Sequence, residues 1–358
     1  MKTIKKNTSL LAFNTFGMDV KAAVLAEYDT MEELQELLAY DEILDLMQQQ
    51  REKGEIPFWH IGAGSNLLFR GDYPGVVLHC TAKGITPRND GETIEVLAGT
   101  TWDDVCDWCA QRGLYGAENL SLIPGETGAA AVQNIGAYGV EVKDLIQQVI
   151  CWDVIDLKEC ELSCEDMQYG YRSSLLKTPE AKSRYIVSRV VLKLSKAPVL
   201  HLDYAGLRQA LNGKEAPTPQ EVRDAVIQIR QGKLPDPKEL GNAGSFFKNP
   251  VVEKAVYERI LQEWRCGSER IEVHGVEATI PHYIINEELI KIPAGWLIEQ
   301  CGWKGKSLGR AGVYEKQSLV LVNRGGATPQ EIIDLCQEVV KSVKEKFGID
   351  IEPEVNLI

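Results

Sequence analysis

The sequence predicts an α+β protein with mixed sheets. Three observations carry this: runs of β-branched residues, two identical helix-start signals, and a half-apolar strand pattern at the chain's end. The clearest run is Tyr185-Ile186-Val187-Ser188-Arg189-Val190-Val191-Leu192-Lys193-Leu194. Thr218-Pro219-Gln220-Glu221 and Thr328-Pro329-Gln330-Glu331 each offer Thr as N-cap, Pro at the first turn and Glu three residues on. From Ile349 to Leu357, alternation puts Ile349, Ile351, Val355 and Leu357 on one face and Asp350, Glu352 and Glu354 on the other. Pro353 limits that segment to an edge strand or an irregular end, returning to an existing sheet.

In order, Ala22 to Tyr28 reads as a strand, and Thr30 with Glu33 opens a helix running towards Arg51, where Gly54 ends it. Pro57 to Ile61 is the next strand and leads into Gly62-Ala63-Gly64-Ser65-Asn66. Val76 to His79 and Thr93 to Leu97 are further strands, and Thr101 starts a short helix that stops near Gly113. After Ile146 the pattern is mostly strand until the helix at Thr218. The long helix after Thr328 reaches Phe347, and the stretch from about Cys266 to Ile292 carries no motif.

Composition sets the limits. A chain of 358 residues has room for two or three domains, and 44% apolar with 25% charged residues is ordinary globular usage. The net charge of −13 argues against a nucleic-acid partner. It leaves room for an anionic small ligand beside Arg230, Lys233, Lys238 and Lys248. No apolar run approaches the roughly 20 residues of a membrane span, and Met1 to Asn7 lacks a signal-peptide core. A cytoplasmic location is the expectation, with no obligate protein partner evident. Among nine cysteines, Cys106-Asp107-Trp108-Cys109 is the C-x-x-C, and Trp102, Val105, Cys106 and Cys109 share one helical face. Both sulfurs are therefore expected in the core, and the five histidines show no metal-ligand spacing.

Two glycine-rich segments carry chemistry. Gly62 to Asn66 follows a strand as a phosphate-cradling turn should, but Leu67 stands where a dinucleotide fingerprint needs its third glycine. Pro124 to Gly139 holds four glycines and four alanines in sixteen residues, leaving backbone open to a large flat partner. Ser65, Asn66, Thr127, Gln133 and Asn134 add neutral hydrogen-bonding groups. Sixty residues apart, the two suit a bipartite cofactor, one for a pyrophosphate and one for the remainder. A third stretch, Gly241 to Pro250, delivers the Ser245 hydroxyl beside Phe246, Phe247, Lys248 and Asn249. It reads equally as a site wall or as a glycine-rich surface turn before buried aromatics. A hydrolase reading of Ser245 fails for lack of a G-x-S-x-G elbow.

Seven motifs occur in order: Asn14-Thr15-Phe16-Gly17, Gly62 to Asn66, Asn134-Ile135-Gly136-Ala137-Tyr138-Gly139, Tyr169-Gly170-Tyr171-Arg172, Lys233-Leu234-Pro235-Asp236-Pro237, Gly241 to Pro250, and Glu352-Pro353-Glu354-Val355. Over residues 14 to 357 the set resembles the bacterial UDP-N-acetylenolpyruvoylglucosamine reductase family. The resemblance implies the FAD-binding fold of vanillyl-alcohol-oxidase (PCMH) type in two subdomains, residues 1–80 and 81–232, plus a separate α+β substrate-binding domain, 233–345. The terminal strand, 346–358, would join the first subdomain. It further implies non-covalent FAD, NADPH as co-substrate and a UDP-sugar substrate. Cofactor positions would be Gly62, Ala63, Gly64, Ser65, Asn66, Pro124, Gly125, Gly128, Ala129, Asn134, Gly136, Tyr138, Gly139 and Ile186.

The resemblance also assigns catalytic roles. Ser245 matches the general acid, Arg172 the group stabilising the carboxylate-bearing intermediate, and Glu354 the last-strand carboxylate. Spacing alone does not choose Glu354 over Glu352; the family's acid after the proline does. Hydride delivered to the terminal enolpyruvyl carbon builds negative charge beside the carboxylate, which calls for a fixed cation and a proton donor. Substrate positions would be Tyr204, Arg230, Lys233, Asn249 and Gln317. The chain has two more residues between Leu200 and Tyr204 than the family's tyrosine-loop pattern. The competing activity is an FAD-dependent oxidase or dehydrogenase of the same fold acting on an alcohol or hydroxy acid.

Overall fold

A computed structural model describes residues 2–204, 206–267 and 280–358. The chain divides into two compact units. The first comprises Met1–Asn14, Asp19–Ser65 and Gly71–Lys233, and the second Thr15–Met18, Asn66–Arg70 and Leu234–Ile358.

Up to the end of the first unit the elements run β1 (Thr3–Ser9), β2 (Lys21–Tyr28), α1 (Met31–Leu38), α2 (Asp41–Glu52), β3 (Phe58–Ile61), β4 (Leu67–Leu68) and β5 (Tyr73–Cys80). Then come β6 (Ile85–Pro87), β7 (Thr93–Leu97), α3 (Trp102–Ala110), α4 (Thr127–Gln133), β8 (Gly136–Ala137), β9 (Val140–Glu141), β10 (Ile146–Asp153) and β11 (Lys158–Ser163). The unit closes with α5 (Pro179–Lys182), β12 (Tyr185–Lys193), α6 (Leu207–Ala210) and α7 (Pro219–Lys233). Two sheets organise it: β1-β2-β5-β3, where β2 and β3 both run parallel to β5, and the antiparallel β11-β10-β12-β7-β6. The strand patterns explain the core: Val24, Ala26, Val76, Leu78, Val149, Cys151, Val190 and Leu192 are all buried in one cluster with Trp102, Val105, Cys106 and Cys109. Burial pushes the Cys109 thiol up to about 12, so the C-x-x-C serves packing.

The helix expected from Thr30 to Arg51 is two helices, broken at Ala39–Tyr40. At about 100° per residue, one continuous helix would put Ile43 roughly 180° from Leu34. The break turns Leu34, Leu37 and Leu38 and then Ile43 and Met47 towards the core. Strand β1 was not foreseen, because its lysines mask a polar edge strand that pairs Thr3 with Glu27 and Ser9 with Lys21.

In the second unit β13 (Asn242–Ser245), β14 (Val251–Glu253), α8 (Lys254–Gly267), β15 (Tyr283–Ile284), β16 (Leu289–Lys291), α9 (Ala294–Gln300), β17 (Ser307–Leu308), β18 (Ala311–Val313), β19 (Val320–Asn323), α10 (Pro329–Phe347) and β20 (Asn356–Leu357) follow in order. The sheets are β13-β19-β18-β17 and β14-β16-β15, both antiparallel. Of the motif-free stretch from Cys266 to Ile292, residues 268–279 lie outside the described residues. Both capping boxes form as expected: the Glu221 and Glu331 amides donate to the Thr218 and Thr328 hydroxyls at 3.3 Å, and each carboxylate accepts the threonine amide at 2.8 Å. The terminal strand is shorter than expected. Asn356–Leu357 pair in parallel with Leu67–Leu68, and Leu357 is exposed while Ile349, Ile351 and Val355 are buried.

Candidate active site

The first unit brings the two glycine-rich segments together. Strand β3 ends at Ile61 and the chain turns at Gly62 against the second segment: a Cβ on Gly62 would lie 3.0 Å from Glu126 Oε2 and 3.4 Å from the Ala129 Cβ. The Ser65 hydroxyl donates to the Pro124 carbonyl at 3.0 Å. Gly64 has φ +68°, and a Cβ there would fall 1.8 Å from the Phe13 carbonyl oxygen, so the turn is built for glycine. Ala63 is exposed.

Only part of the second segment is open. Residues 127–133 form α4, whose start is tied to the strand end by Thr127 N–H to Thr100 O and Gly128 N–H to Ala98 O, both 2.9 Å. Gly128 is buried, and a Cβ would meet Ala98 at 2.9 Å; its smallness serves helix-to-sheet packing. Beyond the helix, Gly139 has φ +83° with nothing within 4 Å of a built Cβ, leaving open backbone of the kind a flat ring system can lie along. Ile186 is buried in β12, opposite Trp152. Asn66 lies in the second unit, where its carbonyl accepts the Asn356 backbone and side-chain amides at 3.1 Å. The pinned turn and the open Gly139 face fit a flavin nucleotide.

Arg172 sits at the tip of a turn closed by the Gly170–Ser173 bridge, with φ +54°. Its guanidinium donates to the carbonyls of Asn134 and Gly136, on the second glycine-rich segment. The turn is tied down from several sides. The Asn134 side chain donates to Gly170 O at 2.8 Å, and the Lys177 ammonium donates to Arg172 O and Gln133 Oε1 at 3.0 Å. Lys177 and Gln133 carried no role in the sequence reading of this turn.

Tyr138, expected at the cofactor, packs edge-on against Tyr204, expected at the substrate, with ring centroids 6.0 Å apart. Arg230, at the end of α7, is half-buried, and its Nε is enclosed with no hydrogen-bond partner among the described residues. Burial lowers its pKa, with Tyr138 and Asp103 opposing. Lys233, the last residue of α7, is exposed.

The second unit brings Ser245 and Glu354 close in the chain's fold. Ser245, exposed at the end of β13, pairs with Val320 of β19. The following residues pair with the C-terminal segment through the Phe247–Pro353 bridge: Glu354 N–H donates to Phe246 O at 2.7 Å, and Lys248 N–H to Glu352 O at 2.9 Å. Phe246 and Phe247 are fully buried and anchor this hairpin-like pair. Glu354 is half-buried, whereas Glu352 is exposed, 3.8 Å from the Lys248 ammonium. Gln317 sits in the turn before β19, its carbonyl accepting Val320 N–H at 3.0 Å. The Asn249 side chain caps α9 by accepting Ala294 N–H at 2.9 Å.

Among the described residues no helix is long and apolar enough to cross a membrane. No group of His, Cys, Asp and Glu among them could hold a metal ion.

Comparison with known proteins agrees with this construction. Residues 32–158 match the model of an FAD binding domain, and residues 236–358 match that of the UDP-N-acetylenolpyruvoylglucosamine reductase C-terminal domain. Fold and matches thus define an FAD-binding oxidoreductase with an added α+β domain. Over 99% of this chain, a Bacteroides fragilis UDP-N-acetylenolpyruvoylglucosamine reductase is 46% identical (100% of its length covered) and a Flavobacterium johnsoniae one is 40% identical (99% covered). The crystal structure of a Thermus caldophilus UDP-N-acetylenolpyruvylglucosamine reductase shares the fold, with a TM-score of 0.64 at 22% identity, over 100% of this chain and 99% of that one. The chain belongs to the UDP-N-acetylenolpyruvoylglucosamine reductase family.

Proposed function

We propose that the two units divide the family's reaction between them, the first holding the flavin and the second supplying the proton. The reaction is reduction of the enolpyruvyl group of UDP-N-acetylenolpyruvoylglucosamine to UDP-N-acetylmuramate in peptidoglycan synthesis, with NADPH as co-substrate. FAD, when bound, supplies the hydride. In the first unit, Gly62 to Ser65 and Pro124 to Gly139 bind the cofactor, and the two sheets correspond to its two subdomains. Residues 233–345 make the substrate domain.

Arg172 holds a guanidinium in a fixed orientation, suited to the charge that develops beside the substrate carboxylate. Ser245 donates the proton to that carbon, and Glu354 positions or polarises the donor. Tyr204, Arg230, Lys233, Asn249 and Gln317 bind the sugar nucleotide, and Tyr138, edge-on to Tyr204, stays with the cofactor positions. The observation that best supports these roles is the backbone hydrogen bond from Glu354 N–H to Phe246 O, which pairs the Glu354 main chain with the residue after Ser245. The enzyme is assigned to the bacterial cytoplasm.

The test is direct. The purified protein is expected to be yellow, to release its flavin on acid precipitation, and to consume NADPH in proportion to enolpyruvyl substrate. Flavin left in the pellet would contradict non-covalent binding. NADPH-independent oxidation of an alcohol would favour the oxidase alternative.

A further inference from the structure

Beneath the first glycine turn, three ionisable side chains join three elements. The register of β2 on β5 sets Glu27 beside His79, and that of β3 on β5 sets His79 beside Ile61, the residue before Gly62. His79 Nδ1 lies 3.4 Å from Glu27 Oε1, and Nε2 lies 3.1 Å from Glu126 Oε1. The other Glu126 oxygen is the atom a Cβ on Gly62 would meet at 3.0 Å. All three side chains are largely buried, at 13–15% exposure.

We propose that His79 is a positioning residue for the cofactor: its imidazolium ties the second glycine-rich segment to the first through Glu126, so FAD retention weakens in alkaline buffer. The proposal rests on the flavoprotein reading and adds a residue to it.

Chemistry fixes the protonation state that this arrangement needs. An imidazolium donates from both nitrogens, one bond to each carboxylate. Neutral imidazole has one N–H, so one carboxylate would face a lone pair. Glu27 would keep Lys5, at 2.7 Å, and Thr3, at 3.2 Å, as partners. Glu126, on the cofactor side, depends on the ring for its charge balance, so its contact weakens from a charge-assisted bond to a neutral one even where Nε2 keeps the proton. A bare Glu126 carboxylate beside the Gly62 turn would also repel an anionic diphosphate, which acts in the same direction.

The surroundings are consistent. Phe13 packs its ring edge-on to His79, with centroids 5.2 Å apart. Neighbouring His60, hydrogen-bonded to the Tyr28 hydroxyl at 2.8 Å, is held at about 3 by burial, with the His79 charge acting the same way. It therefore adds no second cation. Burial opposes the charged form of His79 as well, but Glu126 and Glu27 outweigh it and raise its pKa above the ordinary 6.5. The sign follows. The tie is complete below about pH 6.5 and is lost as pH rises through the higher value in the folded protein.

The experiment measures FAD dissociation by flavin fluorescence between about pH 6 and pH 9 for the wild type and His79→Gln. In the wild type, affinity is expected to fall on the order of 10-fold over that range, one pKa unit of linkage. In His79→Gln the profile is expected to be flat. A flat wild-type profile, or an unchanged slope in the variant, overturns the proposal. Histidine-ring NMR of the wild type, with and without FAD, is independent of whether the variant folds. A His79 pKa higher with FAD than without supports the proposal, and an identical one overturns it. Absence of FAD binding at every pH would instead sink the flavoprotein reading, and the proposal with it.

Discussion

The glycine cradle of the first unit and the Ser245 strand of the second are held in opposite ways. In the cradle, turns are fixed by steric necessity: the Phe13 carbonyl fills the place where Gly64 would carry a side chain, and Ser65 is bonded to Pro124. In the Ser245 region, the position comes from main-chain pairing to β19 and to the C-terminal segment, over buried Phe246 and Phe247. Side chains there are left exposed or half-exposed to act. The contrast fits a division between holding a cofactor, which tolerates no added atom, and delivering a proton, which needs one well-placed group. Substitutions in the cradle should therefore act on binding, and those along the Ser245 strand on rate.

Gly64→Ala should have the largest effect. A methyl group would meet backbone rather than a movable side chain, and φ +68° adds about 1 kcal/mol or more of strain. The purified variant should carry no flavin, as judged by its absorption spectrum; a normally loaded variant would break the comparison. Ser245→Ala comes next, retaining flavin but losing turnover by about 10²-fold.

Glu354→Gln should lower turnover by roughly 10-fold or more with its melting temperature kept, because the change falls on the transition state. Glu352→Gln is the smallest. Its carboxylate is exposed and loosely paired with Lys248, the kind of contact worth roughly 0–1 kcal/mol. Kinetics should stay within about twofold, as for an ordinary surface substitution. A strong effect from Glu352 with none from Glu354 would reverse the assignment.

Local signals were readable in the sequence. Val76 to His79, Thr93 to Leu97 and Tyr185 to Leu194 announced strands by side-chain type, and both Thr-Pro-Gln-Glu sequences start helices. What escaped depended on partners distant in the chain. The lysines of β1 become an edge strand only because β2 is there to receive them. The α1–α2 break appears only once Leu34 and Ile43 must face one core. At the site, the glycines and Ser245 stood out by composition. His79 and Glu126 did not: nothing local relates them, and Glu27 meets His79 only through parallel pairing across fifty-two residues. Gly128 looked like open backbone and proved to be a packing position, because smallness alone does not say which surface approaches.

The division of labour is tested most directly by stopped-flow measurement of both half-reactions in Ser245→Ala. Flavin reduction by NADPH requires no proton at the enolpyruvyl carbon and should proceed at nearly the wild-type rate. Reoxidation by the enolpyruvyl substrate should slow by a factor on the order of 10² or more. Equal slowing of both steps would contradict the account, since Ser245 would then be shaping the cofactor's surroundings rather than donating the proton.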